Sequence, residues 1–308
     1  MSCRLREENP RVMIWLDSLR LCSNSPRSRR KALQNLAISG DRRAVPLLVA
    51  SLGDEEPNLR CAAAKALSSV VDPRSAMALV MALDDPDSTV RAACAQALGQ
   101  SDDPRRLPAL LKATRDLEPV VRATALYSLG QEPGEAVTAA LLNSLQDIDD
   151  EVRVAGAQVL SDFADPAHLP FFLDLLADSN MEVRLIAVQF VRRIGDPQVA
   201  RGLLSRLGDL ESEVRCVAAQ ALGATRNPIA LEALVLSMTD EDYVVRQAAL
   251  AALEQIDPHW ARTSAAQRAG RRLEELVHDS RSWMRQTATQ ALDTLRKAAG
   301  HVAPGAPA

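Results

Sequence analysis

Ion pairing is the first chemistry this sequence offers. Arginine recurs every 31 residues, at Arg29, Arg60, Arg91, Arg122, Arg153, Arg184, Arg215 and Arg246, and an aspartate stands six residues ahead of all but the first, at Asp54, Asp85, Asp116, Asp147, Asp178, Asp209 and Asp240. After Arg246 the interval lengthens once, to 39, and both series resume at Asp279 and Arg285. A planar guanidinium can grip a carboxylate through two parallel hydrogen bonds, and an aspartate just ahead of a helix can accept from its free N–H groups. The spacing therefore predicts that each arginine reaches the aspartate of the following unit, as a structural ladder. Breaking such a pair leaves a charge uncompensated, so Arg153→Ala is predicted to destabilise the stack by about 3–5 kcal/mol. The competing chemistry, a basic track for phosphates, is opposed by the aspartates that travel with the arginines.

A second set of residues offers hydrogen bonding to a partner. Positions two before, one after and five after each ladder arginine are three and four residues apart, so on a helix they share one side. The column five after reads Gln34, Lys65, Gln96, Tyr127, Gln158, Gln189, Gln220, Ala251 and Gln290. Amides both donate and accept, which suits an extended polypeptide. The column two before contains Glu151, Glu182, Glu213 and Trp283, and the column between them supplies small residues such as Cys61, Ala92, Ala123 and Cys216. Gln96, Tyr127, Gln158, Gln189, Gln220, Glu151, Glu182, Glu213 and Trp283 form the candidate partner-binding groove, and its acids favour a partner with basic residues. The plainer reading is that glutamine is a soluble helix former at exposed positions. Basic clusters at Arg27, Arg29, Arg30 and Lys31 and at Arg268, Arg271 and Arg272 read as solvated helix faces.

A catalytic constellation is not legible. The four histidines, His168, His259, His278 and His301, are scattered as surface residues usually are, and no HExxH motif occurs. The five cysteines are odd in number and widely separated, so reduced thiols are expected and a metal or redox motif is not. No catalytic residue, metal site or cofactor is assigned, and enzymatic activity is left open with a non-enzyme preferred.

The elements that must position these residues follow from one repeat. In residues 72–102, Asp72 can cap a helix with Pro73 at its first position, and Ala76, Leu79, Val80 and Leu83 keep helical spacing. After a break at Asp85, Val90, Ala93, Ala97 and Leu98 mark a second helix, with Gly99 near its end as a stop signal. First-helix starts recur at Asp41, Asp72, Asp103, Asp165, Asp196 and Asn227, while Gly134 and Pro133 depart from the pattern. The repeat predicts an all-α solenoid of nine helical pairs, a single array over residues 10–296 with a cap repeat at 10–40. Residues 1–9 read as an extension and 297–308 as a disordered tail. The extra residues near 258–265 predict either a lengthened helix or a short loop followed by a helix with Ser264 as cap, and leave open whether Trp260 marks a contact between copies. With 47% hydrophobic and 3% aromatic residues and a net charge of -4, nothing draws the chain to nucleic acid, and without a long apolar run the expected location is the cytoplasm.

The unit D-P-x-x-x-x-x-L-x-x-x-L-x-D-x-x-x-x-V-R-x-x-A-x-x-A-L-G resembles the short HEAT repeat, in the form named after phycobilisome lyases, over roughly residues 10–296. The resemblance implies a right-handed superhelix, first helices convex and second helices lining a concave groove. It also implies three possible functions. A non-catalytic scaffold that binds a protein or peptide in the groove comes first. A lyase-like subunit handling a linear tetrapyrrole on a bilin-carrying antenna protein is the alternative, and nucleic-acid binding comes last.

Overall fold

The computed structural model describes residues 10–300 apart from 71, 131, 133 and 195–198. The expected extension at 1–9, Pro133, the helix start at Asp196 and the tail from His301 lie outside the described residues, while 297 and 298, expected in the tail, close the last helix, Ser282–Ala298. Among those described the chain is an α-solenoid of eighteen α-helices joined by short loops and 3-10 turns, in two compact units, residues 1–162 and 163–308. The first unit holds α1 (Pro10–Leu21), α2 (Pro26–Ser39), α3 (Val45–Ser51), α4 (Pro57–Ser68), α5 (Pro73–Ala82), α6 (Ser88–Gly99), α7 (Arg106–Ala113), α8 (Pro119–Leu129), α9 (Glu135–Ser144) and α10 (Asp150–Asp162). The second holds α11 (Leu169–Leu175), α12 (Met181–Ile194), α13 (Ala200–Leu204), α14 (Ser212–Thr225), α15 (Leu231–Ser237), α16 (Tyr243–Ile256), α17 (Ser264–Leu276) and α18 (Ser282–Ala298).

Each pair is an odd-numbered helix followed by an even-numbered one. The odd helices begin where a short polar side chain can turn the backbone. Asp72 accepts from the Arg74 N–H at 2.9 Å, with Pro73 opening α5. Asp41, Asp165 and Asn227 do the same for the 3-10 turns that lead into α3, α11 and α15. Gly134 has no such side chain, and α9 starts at Glu135 without a side-chain cap.

The even helices meet through small residues. Ala63, Ala64, Ala93, Ala95 and Ala125 are buried along their faces, with Leu67, Leu98 and Leu126 filling the space beneath. Each fully buried leucine contributes about 1.5–3 kcal/mol, while the alanines let backbones approach. Gly99 is part of this packing. A Cβ there would lie 2.8 Å from the Ser128 Cβ on α8. Gly99 is the last residue of α6, as the stop signal predicted, and its helical backbone permits close approach; Gly40, at φ 58°, closes α2 in the left-handed conformation instead. Within each unit, even helices generally pack against their even neighbours more extensively than odd helices do against theirs.

The end of the second unit reverses this. There α17 packs broadly on α15, and α18 scarcely touches α16. The inserted residues form a 3-10 turn, Trp260–Arg262, whose tryptophan is 2% exposed. Trp260 is thus core of its own unit. Thr263, one residue before the expected Ser264, caps α17 by accepting from the Ala266 N–H at 3.2 Å. His168, expected at the surface, is buried in the turn Pro166–His168 that leads directly into α11.

Candidate functional site

The arginines and aspartates meet along the loops that precede the even helices. In the first unit, Arg60 donates from Nε and Nη2 to the Asp85 carboxylate at 2.7 and 2.8 Å. Arg91 grips Asp116 at 2.9 and 2.8 Å, and Arg122 grips Asp147 at 2.8 and 2.7 Å. In the second, Arg184 holds Asp209 and Arg215 holds Asp240 in the same way. Arg29 and Asp54 form a skewed version, with Nη2 bonded at 3.2 Å and Nε 2.9 Å from the carboxylate but poorly aligned. The remaining nitrogen, Nη1, turns back onto the arginine's own loop: in Arg91 it donates to the Asp85 and Pro86 carbonyls. Asp85 is therefore held twice, its carboxylate by Arg60 and its carbonyl by Arg91.

The aspartates do not cap the even helices as expected. Each accepts from the N–H two residues on: Asp85 from Asp87, Asp147 from Asp149, Asp209 from Glu211. That second residue often does the capping, as Asp87 does for Thr89 and Val90 and Asn180 for Glu182 and Val183. A carboxylate occupied by a guanidinium on one side can serve only one short turn on the other. Burial pushes the Asp85, Asp116, Asp147 and Asp209 carboxyls up, but the arginine fork and the loop N–H outweigh it and hold all four below the usual carboxylate range.

The polar stripe lies on the even helices. Lys65, Gln96 and Tyr127, on α4, α6 and α8, are exposed and line one cavity of about 590 Å³ together with Cys61, Ala92, Thr89 and Val120. All three columns expected to share one side thus converge there within residues 1–162. On α10, Gln158 is exposed and its amide donates to Asp162 at 3.2 Å. In the second unit Gln189 and Gln220 are exposed on α12 and α14, and the Gln220 oxygen accepts from Arg192 at 2.8 Å. Arg192 introduces a cation that the column reading missed, because it falls outside the three positions counted.

Glu151, Glu182 and Glu213 are exposed in the first turns of α10, α12 and α14. Carboxylates there favour the positive end of the helix, which gives them a structural role independent of any partner. Trp283 does not join the stripe. The turned α18 sets it beside Leu207, Leu236 and Glu241, at a separate cavity of about 340 Å³, with Arg281 over its ring at 5.2 Å. Cys94 is buried, and burial pushes its thiol up to about 12, leaving it inert as a nucleophile.

Another feature went unread in the sequence. Leu117, Ile148 and Leu210, each one residue after a ladder aspartate, are 93, 96 and 92% exposed. Leu117 borders a cavity of about 670 Å³ on the loop edge with Leu83, Ala109 and Lys112. The signal was present in the column Glu55, Pro86, Leu117, Ile148, Ser179, Leu210, which turns apolar only at these units.

Comparison with known proteins agrees with this geometry. A family model described as HEAT repeats matches residues 14–99, 76–161, 138–211 and 200–293. No curated protein sequence matches. Among solved structures, the chain is similar to YibA of Escherichia coli, with a TM-score of 0.59 at 20% identity over 80% of this chain and 93% of that one. It is also similar to an engineered protein, at 19% identity and a TM-score of 0.46 over 92% of this chain and 99% of that one.

Proposed function

The chain belongs to the HEAT-repeat family, and from that premise we propose that it is a scaffold that binds a protein or peptide partner along its even-helix face. The single observation that supports this reading is the cavity of about 590 Å³ spanning three successive even helices. It combines an aromatic, an amide and a cation, Tyr127, Gln96 and Lys65, above a floor of small side chains, the composition by which grooves hold extended polypeptides. Hydrogen bonds from the amide would fix register, and the half-exposed Tyr127 ring would carry much of the energy. Glu151 of α10, exposed in the same unit, adds a preference for partners carrying basic residues.

Selection of a random displayed-peptide library on the purified chain tests this. Selected peptides are expected to bind Tyr127→Ala at least about tenfold more weakly, the loss typical of an interface aromatic. Peptides indifferent to both Tyr127→Ala and Gln96→Ala would remove the groove from the function. A shifted visible band on mixing with phycocyanobilin, unaccompanied by peptide binding, would move the reading to the lyase class.

A further inference from the structure

We infer that Arg246 is a receptor for a carboxylate from outside the chain, an aspartate or glutamate of a bound peptide. This goes beyond the even-helix groove of the first unit and does not depend on it. The template is internal. Arg60, Arg91, Arg122, Arg184 and Arg215 each present the Nε and Nη2 edge to a carboxylate while Nη1 anchors the group to its own loop.

Arg246 keeps the anchor. Its Nη1 donates to the Asp240 and Glu241 carbonyls at 2.8 and 3.0 Å, and the guanidinium lies over the Tyr243 ring at 5.4 Å. Stacking on an aromatic face leaves the in-plane edge of a guanidinium available for a fork. Among the described residues no carboxylate takes that edge. The next aspartate of the series, Asp279, comes eight residues late and is bonded instead to Arg281, at 2.9 and 3.0 Å. The cause is the turned last pair, in which α18 lies away from α16 and Thr287 bonds the Thr239 carbonyl at 3.1 Å.

Neighbouring acids do not forbid an anion here. Asp240 is neutralised by Arg215, Asp242 is engaged in capping Val244, and Glu241 lies 3.8 Å from Arg215. Arg215 itself has Asp209, Glu211 and Glu213 close by in sequence and still takes Asp240. Tyr243 and Val244 are exposed in the first turn of α16, three and two residues before Arg246, and offer apolar surface to the stem of the incoming side chain. A single charged hydrogen-bond pair of this kind changes affinity by about tenfold or more.

The experiment tracks the arginine Nε–H resonances of the full chain by NMR, with Arg246 assigned through Arg246→Lys. The probe is an acetylated, amidated peptide with two glutamates among alanines, alongside its glutamine counterpart, an alanine peptide with a free C-terminal carboxylate, and inorganic phosphate. The glutamate peptide is expected to shift Arg246 and leave Arg184 and Arg215 in place, the glutamine peptide to do nothing, and Arg246→Gln to weaken binding at least tenfold. A shift by the free C-terminus alone would reassign the source of the carboxylate and overturn the side-chain assignment. An unmoved Arg246 signal, undiminished binding by Arg246→Gln, or an equal response to phosphate would overturn the receptor altogether.

Discussion

Arg184 and Asp209, 25 residues apart in sequence, meet through two parallel hydrogen bonds of 2.8 Å, with only 10% and 3% of their side chains exposed. Removing the arginine leaves a buried carboxylate with a single loop N–H and the more distant Arg206 at 3.3 Å. Breaking a pair of this kind costs about 3–5 kcal/mol. Arg184→Ala is therefore expected to lower the melting temperature of its unit by about 6–20 °C, at about 2–4 °C per kcal/mol for a domain of this size. Arg43→Ala, which removes an exposed partner of Asp41, should change it by no more than a degree or two. Differential scanning calorimetry of the two variants checks the contrast, and equal shifts would refute it.

Acid should act on the same pairs. The Asp85, Asp116, Asp147 and Asp209 carboxyls have folded values below the unfolded one near 3.9, so the folded state binds fewer protons. The stability they contribute is fully present above about pH 5 and is lost as pH falls through the folded values. Urea titrations from pH 7 to pH 3 are expected to show a plateau and then a steep decline. In Asp209→Asn the decline should be shallower; an identical slope would remove Asp209 from the linkage.

Gly99→Ala should strain the α6–α8 contact. The added methyl would lie 2.8 Å from the Ser128 Cβ, and overpacking of this kind costs about 1–3 kcal/mol. Ser128→Gly in the same chain should recover part of the loss. Gly208→Ala, which meets nothing within 4 Å, serves as the control. Denaturant midpoints of the four chains test this, and a neutral Gly99→Ala would show that the helices can separate freely.

Trp260 provides a spectroscopic check on the insertion. It is 2% exposed, against 61% for Trp15 and 37% for Trp283. With Trp15→Phe and Trp283→Phe introduced, the remaining emission should be blue-shifted and resist acrylamide quenching. Red emission open to the quencher would place the insertion at the surface. Trp260→Ala should in addition destabilise the second unit by about 3–5 kcal/mol.

The 31-residue clock made the helix pairs, the first-helix starts at Asp72 and Asn227, and the partners of Arg60, Arg91, Arg122, Arg184 and Arg215 readable, since all depend on local spacing; Arg246, whose expected partner Asp279 is bonded to Arg281, was not. Roles decided by three-dimensional crowding were not. Gly99 read only as a stop, because the contact that also requires it, Ser128, lies one repeat on. The ladder aspartates read as caps because one carboxylate can serve either a helix end or a distant guanidinium, and only the fold shows which takes it. Trp283 occupied the correct column but the wrong place, since a column presumes that every helix pair is stacked alike, and α17–α18 is not.

The fixed distance of six residues from aspartate to arginine survives at Asp279 and Arg285 even though the repeat before them is longer. Arg285 keeps the anchor to its own loop, its Nη1 donating to the Asp279 and Ser280 carbonyls at 2.8 Å, so the stretch from loop to even helix holds its length even where the bond to a neighbour is lost. Growth is channelled into the odd half, as it was ahead of α17. For anyone lengthening or grafting onto this array, the odd helices accept added length, at the cost of the next even–even contact and its arginine–aspartate pair, as between α16 and α18.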